Sequence, residues 1–287
     1  MGIAFALLAL FSWGIGDFLI QRSARRFGDW IALFYITAFG TVGLLPFVWR
    51  DIPRVFESGG GLPILAGTTI VLLFAAILDF EALRIGKISV MEAVYAFEVP
   101  VTLVLSRYFI NERLSALETA LILSLVVGTM LVSTRSFSIN KKAVLEKGVW
   151  YAIFATLGMG AVNFLFGVGA RETTPLLINW FTSACIAVIS LAYLAVRGRA
   201  SEITRYFREN APLVTSVGVM DNLAWVAYAY SVTYIPIAIA TGISESYIAL
   251  AAGLGIFVNK ERLKPRQFTG LALCVVAVVI LSWITGA

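Results

Sequence analysis

The sequence contains no histidine. That removes the commonest metal ligand and the usual general base near neutral pH, so any proton chemistry must run on carboxylates, lysine or tyrosine. Cysteine is almost absent too. Cys185 and Cys274 are the only two, both inside apolar runs, without metal-ligand spacing or the makings of a disulfide framework. They read as buried thiols, and neither a metal nor a cofactor is expected. Charge is the third scarcity: 14% of the 287 residues are Asp, Glu, Lys or Arg, against about 25% in an ordinary soluble domain.

Hydrophobic residues fill the space, at 60% of the chain, with a mean hydropathy of +0.89. A membrane-spanning helix needs about 20 mainly apolar residues. Ten such runs are present, over 2–20, 30–49, 62–83, 88–108, 115–134, 148–168, 174–196, 211–233, 236–258 and 266–285. Strands of a membrane barrel would alternate in character over about ten residues, which these continuous runs do not. The expectation is an all-α integral membrane protein with ten transmembrane helices. The first run lacks a basic leader and reads as a spanning helix rather than a cleaved signal.

In a soluble chain the net charge of +5 would suggest a nucleic-acid partner, but here the basic residues sit in short connections. Those after runs 1, 3, 5, 7 and 9 hold 17 of the 22 Lys and Arg. By the positive-inside rule that face is cytoplasmic and both termini lie outside. The partners expected are the lipid bilayer and a small-molecule substrate, with no nucleic acid.

The chain also repeats itself. Asp17-Phe18-Leu19 followed by Ala24-Arg25 recurs 146 residues on as Asn163-Phe164-Leu165 followed by Ala170-Arg171. Ile88 and Glu98 recur after 147 as Ile235 and Glu245, and Glu112-Arg113-Leu114 after 149 as Glu261-Arg262-Leu263. Repeats of 1–137 and 138–287 follow, with the polar segment Arg135 to Lys147 at the seam. Five helices per half is an odd number, so the second half enters the membrane inverted, a construction common among secondary transporters.

Three segments resemble a known family. Phe11-Ser12-Trp13-Gly14 looks like the Trp-Gly entry motif of the drug/metabolite transporter superfamily, EamA type. Glu98-Val99-Pro100 with Asn111-Glu112-Arg113-Leu114 is similar to its Glu-Pro and Gly-Glu-Arg-Leu signature, and Ser244-Glu245-Ser246-Tyr247 with Lys260-Glu261-Arg262-Leu263 to the second copy. Asn111 and Lys260 stand where Gly is usual, and Ile248 replaces the second-copy proline. The resemblance implies transport of metabolites, often export, by alternating access, and no enzymatic activity.

Charge within a bilayer is costly and marks function. Glu98 and Glu245 fall near the middle of runs four and nine, and Asp221 with Asn222 near the middle of run eight. Trp13, Tyr95, Trp225, Tyr228 and Tyr247 accompany them. Tyr95 shares a helical face with Glu98, as Trp225 does with Asp221. These nine are the expected substrate-binding residues, the aromatics serving as a wall for stacking or cation–π contact. Pro100 and Gly242 are the expected hinges. Gly14, Gly16, Gly158 and Gly160 are expected to let helices 1 and 6 approach closely. Interfacial pairing is expected for Asp79, Glu81 and Glu92 with Arg84 and Lys87, and for Asp17 with Arg22. Glu112-Arg113 and Glu261-Arg262 read as structural caps or ion pairs.

The function expected is a secondary transporter, an exporter of amino acids or cationic amine compounds across a bacterial or archaeal cytoplasmic membrane. It could be proton-coupled, and monomeric or homodimeric. A facilitator or exchanger of another solute stays open. An enzyme acting on a lipid-linked substrate is disfavoured by the missing histidine and metal-type carboxylate motif.

Overall fold

The computed structural model describes residues 1–57, 61–86, 88–133, 147–247, 249–250 and 264–286. Among these, every regular element is an α-helix. The order is α1 (Gly2–Phe27), α2 (Asp29–Val48), α3 (Ile52–Val55), α4 (Leu62–Ile85), α5 (Ile88–Tyr95), α6 (Glu98–Phe109), α7 (Ala116–Ser133), α8 (Lys147–Glu172), α9 (Pro175–Val196), α10 (Ala200–Tyr234), α11 (Ile237–Ser244) and α12 (Pro265–Gly286).

The two halves interleave rather than sitting side by side. The most extensive packing is between α4 and α8, α1 and α10, α2 and α9, and α7 and α12, each pair drawn from both halves. All four pairs are antiparallel. Ser231 of α10 donates to the Gly2 carbonyl, while Arg199, just before α10, reaches the Phe27 carbonyl. Trp30 stacks on Tyr193 at 4.0 Å, and Trp180 donates to the Thr41 carbonyl. Gly148 meets Gly86, Gly158 meets Ala75, and Gly169 meets Ile64. Gln267 donates to the Val132 carbonyl, and Cys274 faces the Leu125 carbonyl.

These contacts also fix directions. Gln21 donates to the Leu83 carbonyl and Arg25 to those of Arg84 and Gly86, so α1 and α4 run parallel. Since α8 opposes α4, the first long helices of the two halves, α1 and α8, point in opposite directions.

Glycine marks the closest approach. A Cβ on Gly270 would lie 2.6 Å from the Gly128 carbonyl oxygen, and one on Gly160 would lie 2.9 Å from that of Glu98 and 2.6 Å from Val101. Gly158 and Gly160 thus seat α8 against α4 and α6, rather than against α1. Gly16 has no neighbour within 4 Å of where its Cβ would be.

Seven described helices are long and apolar enough to cross a membrane: α1, α2, α4, α7, α8, α9 and α12. The other three predicted runs depart from a continuous apolar helix. Run four is broken at Ala96-Phe97 into α5 and α6. Pro100 explains the break, since it cannot donate to the Ala96 carbonyl and its ring crowds that oxygen. Run nine turns at Glu245-Ser246 after α11. No proline is needed there, because the Ser244 and Ser246 hydroxyls bond back to the Thr241 and Ile243 carbonyls and compete with the helix. Run eight is longer than expected, beginning at Ala200 and kinking at Asn210 (φ −138°, ψ 30°), two residues before Pro212.

The outward faces carry Phe11, Phe18, Phe47, Phe74, Val104, Phe154, Val188, Val279 and Trp283, all more than half exposed. Apolar surface on this scale needs a partner, and the length and composition of the seven helices identify it as lipid. The chain is an integral, multi-pass membrane protein.

Candidate functional site

A cavity of about 100 Å³ lies at the centre of the bundle, between the halves. Its wall carries five carboxylates, Asp17 (α1), Asp79 (α4), Glu98 (α6), Asp221 (α10) and Glu245 (after α11). Among the described residues no Lys or Arg lines it. Two arginines instead pair at helix ends: Arg84 with Glu81 (2.6 Å) and Asp29 (3.4 Å), and Arg199 with Glu202 (2.8 Å). The hydrogen bond from Arg199 holds the Glu202 carboxyl below its ordinary range.

The helix breaks in runs four and nine position the two glutamates. Glu98 opens α6 directly after one break, and Glu245 closes α11 at the other. Asn163 of α8 lies between them. Its side-chain amide donates to Glu245 Oε1 at 3.2 Å and to Glu98 Oε2 at 3.5 Å. One buried amide therefore joins the repeat-equivalent acids. Thr102 ties α6 to α8 beside them through the Gly160 carbonyl (2.9 Å). Asp17 accepts the Tyr247 hydroxyl at 2.5 Å, and Asp79 lies within hydrogen-bonding reach of Tyr95.

An aromatic wall stands beside the acids. Trp13 meets Trp225 edge-on with centroids 5.2 Å apart, and Phe166 lies 4.6 Å from Trp225. Of the nine residues expected to bind substrate, Trp13, Tyr95, Glu98, Asp221, Asn222, Trp225, Glu245 and Tyr247 line the cavity. Tyr228 does not. It is fully buried behind Trp13 and Trp225, where its hydroxyl donates to the Asn163 carbonyl at 2.9 Å and lies 2.8 Å from Thr241 Oγ1. It supports the wall and the bridging asparagine instead. Asn222 lines the cavity with its amide N–H groups committed to the Ile36 (2.9 Å) and Gly218 (2.7 Å) carbonyls.

Two further expectations change. Asp17 and Asp79 face the cavity rather than the interfacial arginines, while Glu81 takes Arg84. An arginine side chain at a helix end turns outward toward water more cheaply than inward. The Glu92 side chain and Lys87 lie outside the described residues.

The profile of the EamA-like transporter family matches residues 1–134 and again 146–283. The chain belongs to the EamA-like transporter family. It is thereby a membrane transporter of small solutes within the drug/metabolite transporter superfamily, built from two EamA repeats. No curated protein matches the sequence. Among 28 matching chains of solved structures is one titled "Crystal structure of protein", at 14% identity and a TM-score of 0.73, covering 99% of this chain and 97% of that one. At that identity the likeness is one of fold.

The EamA signature acquires a physical meaning here. Asn111, where the family usually has Gly, has φ 52°. Glycine takes that left-handed conformation freely, and asparagine is among the few other residues that tolerate it. The turn delivers Glu112 to the start of α11 in the other repeat, where it accepts the Ile237 (3.0 Å) and Ala238 (3.2 Å) backbone N–H groups. Pro236, at the N-cap, has no side-chain acceptor to offer them, and a carboxylate suits that helix end. Glu112 also pairs with Arg171 (3.2 Å), which donates to the Val232 (2.7 Å) and Ile235 (3.0 Å) carbonyls. The second-copy Glu261-Arg262-Leu263 lies outside the described residues. Glu112→Ala is expected to cost about 1–2 kcal/mol as a lost helix cap. A lower unfolding temperature in detergent, with a smaller drop for Glu112→Gln, would show it; equal stability of all three proteins would refute the cap.

Sequence reasoning passed over Asn163. Its signal was the repeat itself, which pairs it with Asp17, and both positions meet the acids at the repeat interface.

Proposed function

We propose that this EamA protein is a secondary transporter that exports small neutral or cationic metabolites, amino acids or amines, by alternating access. The observation that carries the reading is the central cavity, walled by both repeats, with five carboxylates and no basic side chain among the described residues. The opposed directions of α1 and α8 support reading the chain as ten spanning helices in two inverted five-helix repeats, 1–137 and 138–287. Inverted repeats can exchange conformations and so open one site to either face in turn. Trp13, Tyr95, Glu98, Asp221, Asn222, Trp225, Glu245 and Tyr247 contact the solute, with Tyr228 behind them. Pro100 and Gly242, beside the two helix breaks, are the hinges.

The carboxylates can exchange protons for solute, which gives coupling to the proton gradient without histidine. The excess of Lys and Arg on one face places both termini outside a bacterial or archaeal cytoplasmic membrane. The cavity lies within one chain, so a monomer suffices and a homodimer is compatible with it.

The test is flux into proteoliposomes containing the purified protein. Saturable uptake of a labelled amine or amino acid above protein-free vesicles is the expected result. Uptake of sugar phosphates with none of amines or amino acids would overturn the assignment.

A further inference from the structure

We infer that residues 200–209, the part of α10 before its kink at Asn210, form an interfacial helix that binds the headgroups of anionic phospholipids. This goes beyond the transporter reading and needs only that the chain spans a bilayer.

The position of the segment comes first. On α1 the exposed stripe Leu8, Phe11, Ile15 and Phe18 keeps helical spacing and runs on into exposed Arg22 and Arg26. On α9 the exposed Val188, Leu191 and Val196 lead to exposed Arg197, and Gly198 (φ 68°) turns the chain. Apolar surface thus gives way to arginine at the end of both helices, which marks the headgroup level. The next element is α10. Its start is tied to that level, because Arg199 reaches the Phe27 carbonyl at the end of α1. The Tyr35 hydroxyl donates to the Ile203 carbonyl, and the rings of Phe27 and Tyr206 are 5.1 Å apart. Tyr35 is the seventh residue of α2. The segment therefore lies back along the ends of α1 and α2 instead of projecting away from the membrane.

The two faces of the segment differ. Ile203 and Tyr206, three residues apart, pack against the cluster of Phe27, Ile31 and Tyr35. Ser201, Thr204, Arg205 and Arg208 share the opposite, exposed face. Phe207 stands beside the packed face and is 42% exposed. A basic face with an apolar side chain at its edge is the pattern of a helix lying in the headgroup layer.

Charge identifies the lipid. Arg199 takes Glu202 at 2.8 Å, leaving Glu209 as the segment's other acid. Arg205 and Arg197 lie over the rings of Tyr206 (4.7 Å) and Tyr193 (5.4 Å), which orient a guanidinium and bring no counter-charge. The positive excess holds for the whole face whatever pairs with what. Its connections carry 17 Lys and Arg, against seven acids even when Glu81 and Glu92 at the neighbouring helix ends are counted. A phosphodiester offers two oxygens to the guanidinium fork. Phosphatidylglycerol keeps that charge, whereas phosphatidylcholine cancels it with its own ammonium.

The experiment is native mass spectrometry of the purified protein in neutral detergent, titrated with phosphatidylglycerol or phosphatidylcholine, with inorganic phosphate as competitor. Wild type is expected to bind phosphatidylglycerol about tenfold or more tightly than phosphatidylcholine, and added salt should narrow the gap. Each arginine at the membrane surface corresponds to about fivefold in affinity, so Arg205→Gln with Arg208→Gln should weaken phosphatidylglycerol about thirtyfold and leave phosphatidylcholine unchanged. Both side chains are exposed, so the fold should be kept. Lys141→Gln with Lys142→Gln removes the same charge from the seam between the repeats and should change little. Equal wild-type affinity for the two lipids would overturn the inference without need of a variant. So would an equal loss in both double variants, which is attraction by net charge alone, and so would displacement of the lipid by inorganic phosphate at matched concentration.

Discussion

Replacing Glu98 and Glu245 together by glutamine is expected to abolish solute flux in proteoliposomes while leaving a folded protein. A hydrogen bond to a charged group contributes about 1.5–3 kcal/mol, so each single exchange should lower affinity for a cationic solute by roughly one to two orders of magnitude. Fold should be spared because glutamine keeps the length of the side chain and a carbonyl oxygen that can still accept from Asn163. The singles also separate two roles. If the acids carry protons as well as solute, either exchange should flatten the dependence of flux on pH; if they only bind solute, affinity falls and the profile stays. Wild-type flux at every pH from the folded double variant would rule out a carboxylate mechanism.

Why these glutamates could be found in the sequence, and their neighbours could not, has a physical basis. Glu98 and Glu245 stand inside long apolar runs, where ionisable groups are costly enough to be conspicuous. Asp17 and Asp79 lie one or two turns from arginines in sequence, and proximity along the chain suggested salt bridges. Helical rotation decided otherwise: Glu81 takes Arg84 while Asp79, two residues earlier, turns to the opposite face and the cavity. A one-dimensional reading has no access to which face meets the bundle axis when a helix is apolar nearly all round.

The fold divides in the same way. Apolar length made the seven continuous spans legible, and the repeat made the two halves legible. The break before Glu98 could be anticipated from Pro100, though it falls four residues earlier, at the carbonyl the proline would have bonded. The matching turn at Glu245 could not, since no proline follows Glu245 as Pro100 follows Glu98, and serine hydroxyls bond back to the helix there. Tyr228 illustrates the opposite error. Its spacing from Trp225 put it on the cavity face, yet Trp13 and Trp225 stand in front of it.

Asn163 supplies the second large effect. Its amide is the donor shared by Glu98 and Glu245, and leucine there would leave both carboxylates short of it, at about 1–3 kcal/mol or more for charged groups. Asn163→Leu is therefore expected to lower both the unfolding temperature and the flux at every pH. Asn163→Asp is more discriminating. A carboxyl placed between two glutamates can replace the amide only while it carries a proton, as a single O–H donor to one of them. Ionised, it adds a third negative charge at hydrogen-bonding distance, and like charges so close strongly disfavour ionisation. The sign follows directly: N163D should approach wild-type flux in acid, where the new carboxyl is protonated, and lose it as pH rises and the proton leaves. The repeat makes this substitution informative, because Asp17, the equivalent position in the first half, already carries a carboxylate and satisfies it with the Tyr247 hydroxyl instead. A flux–pH profile for N163D that overlays the wild type would show that the bridge between the two glutamates plays no part in transport.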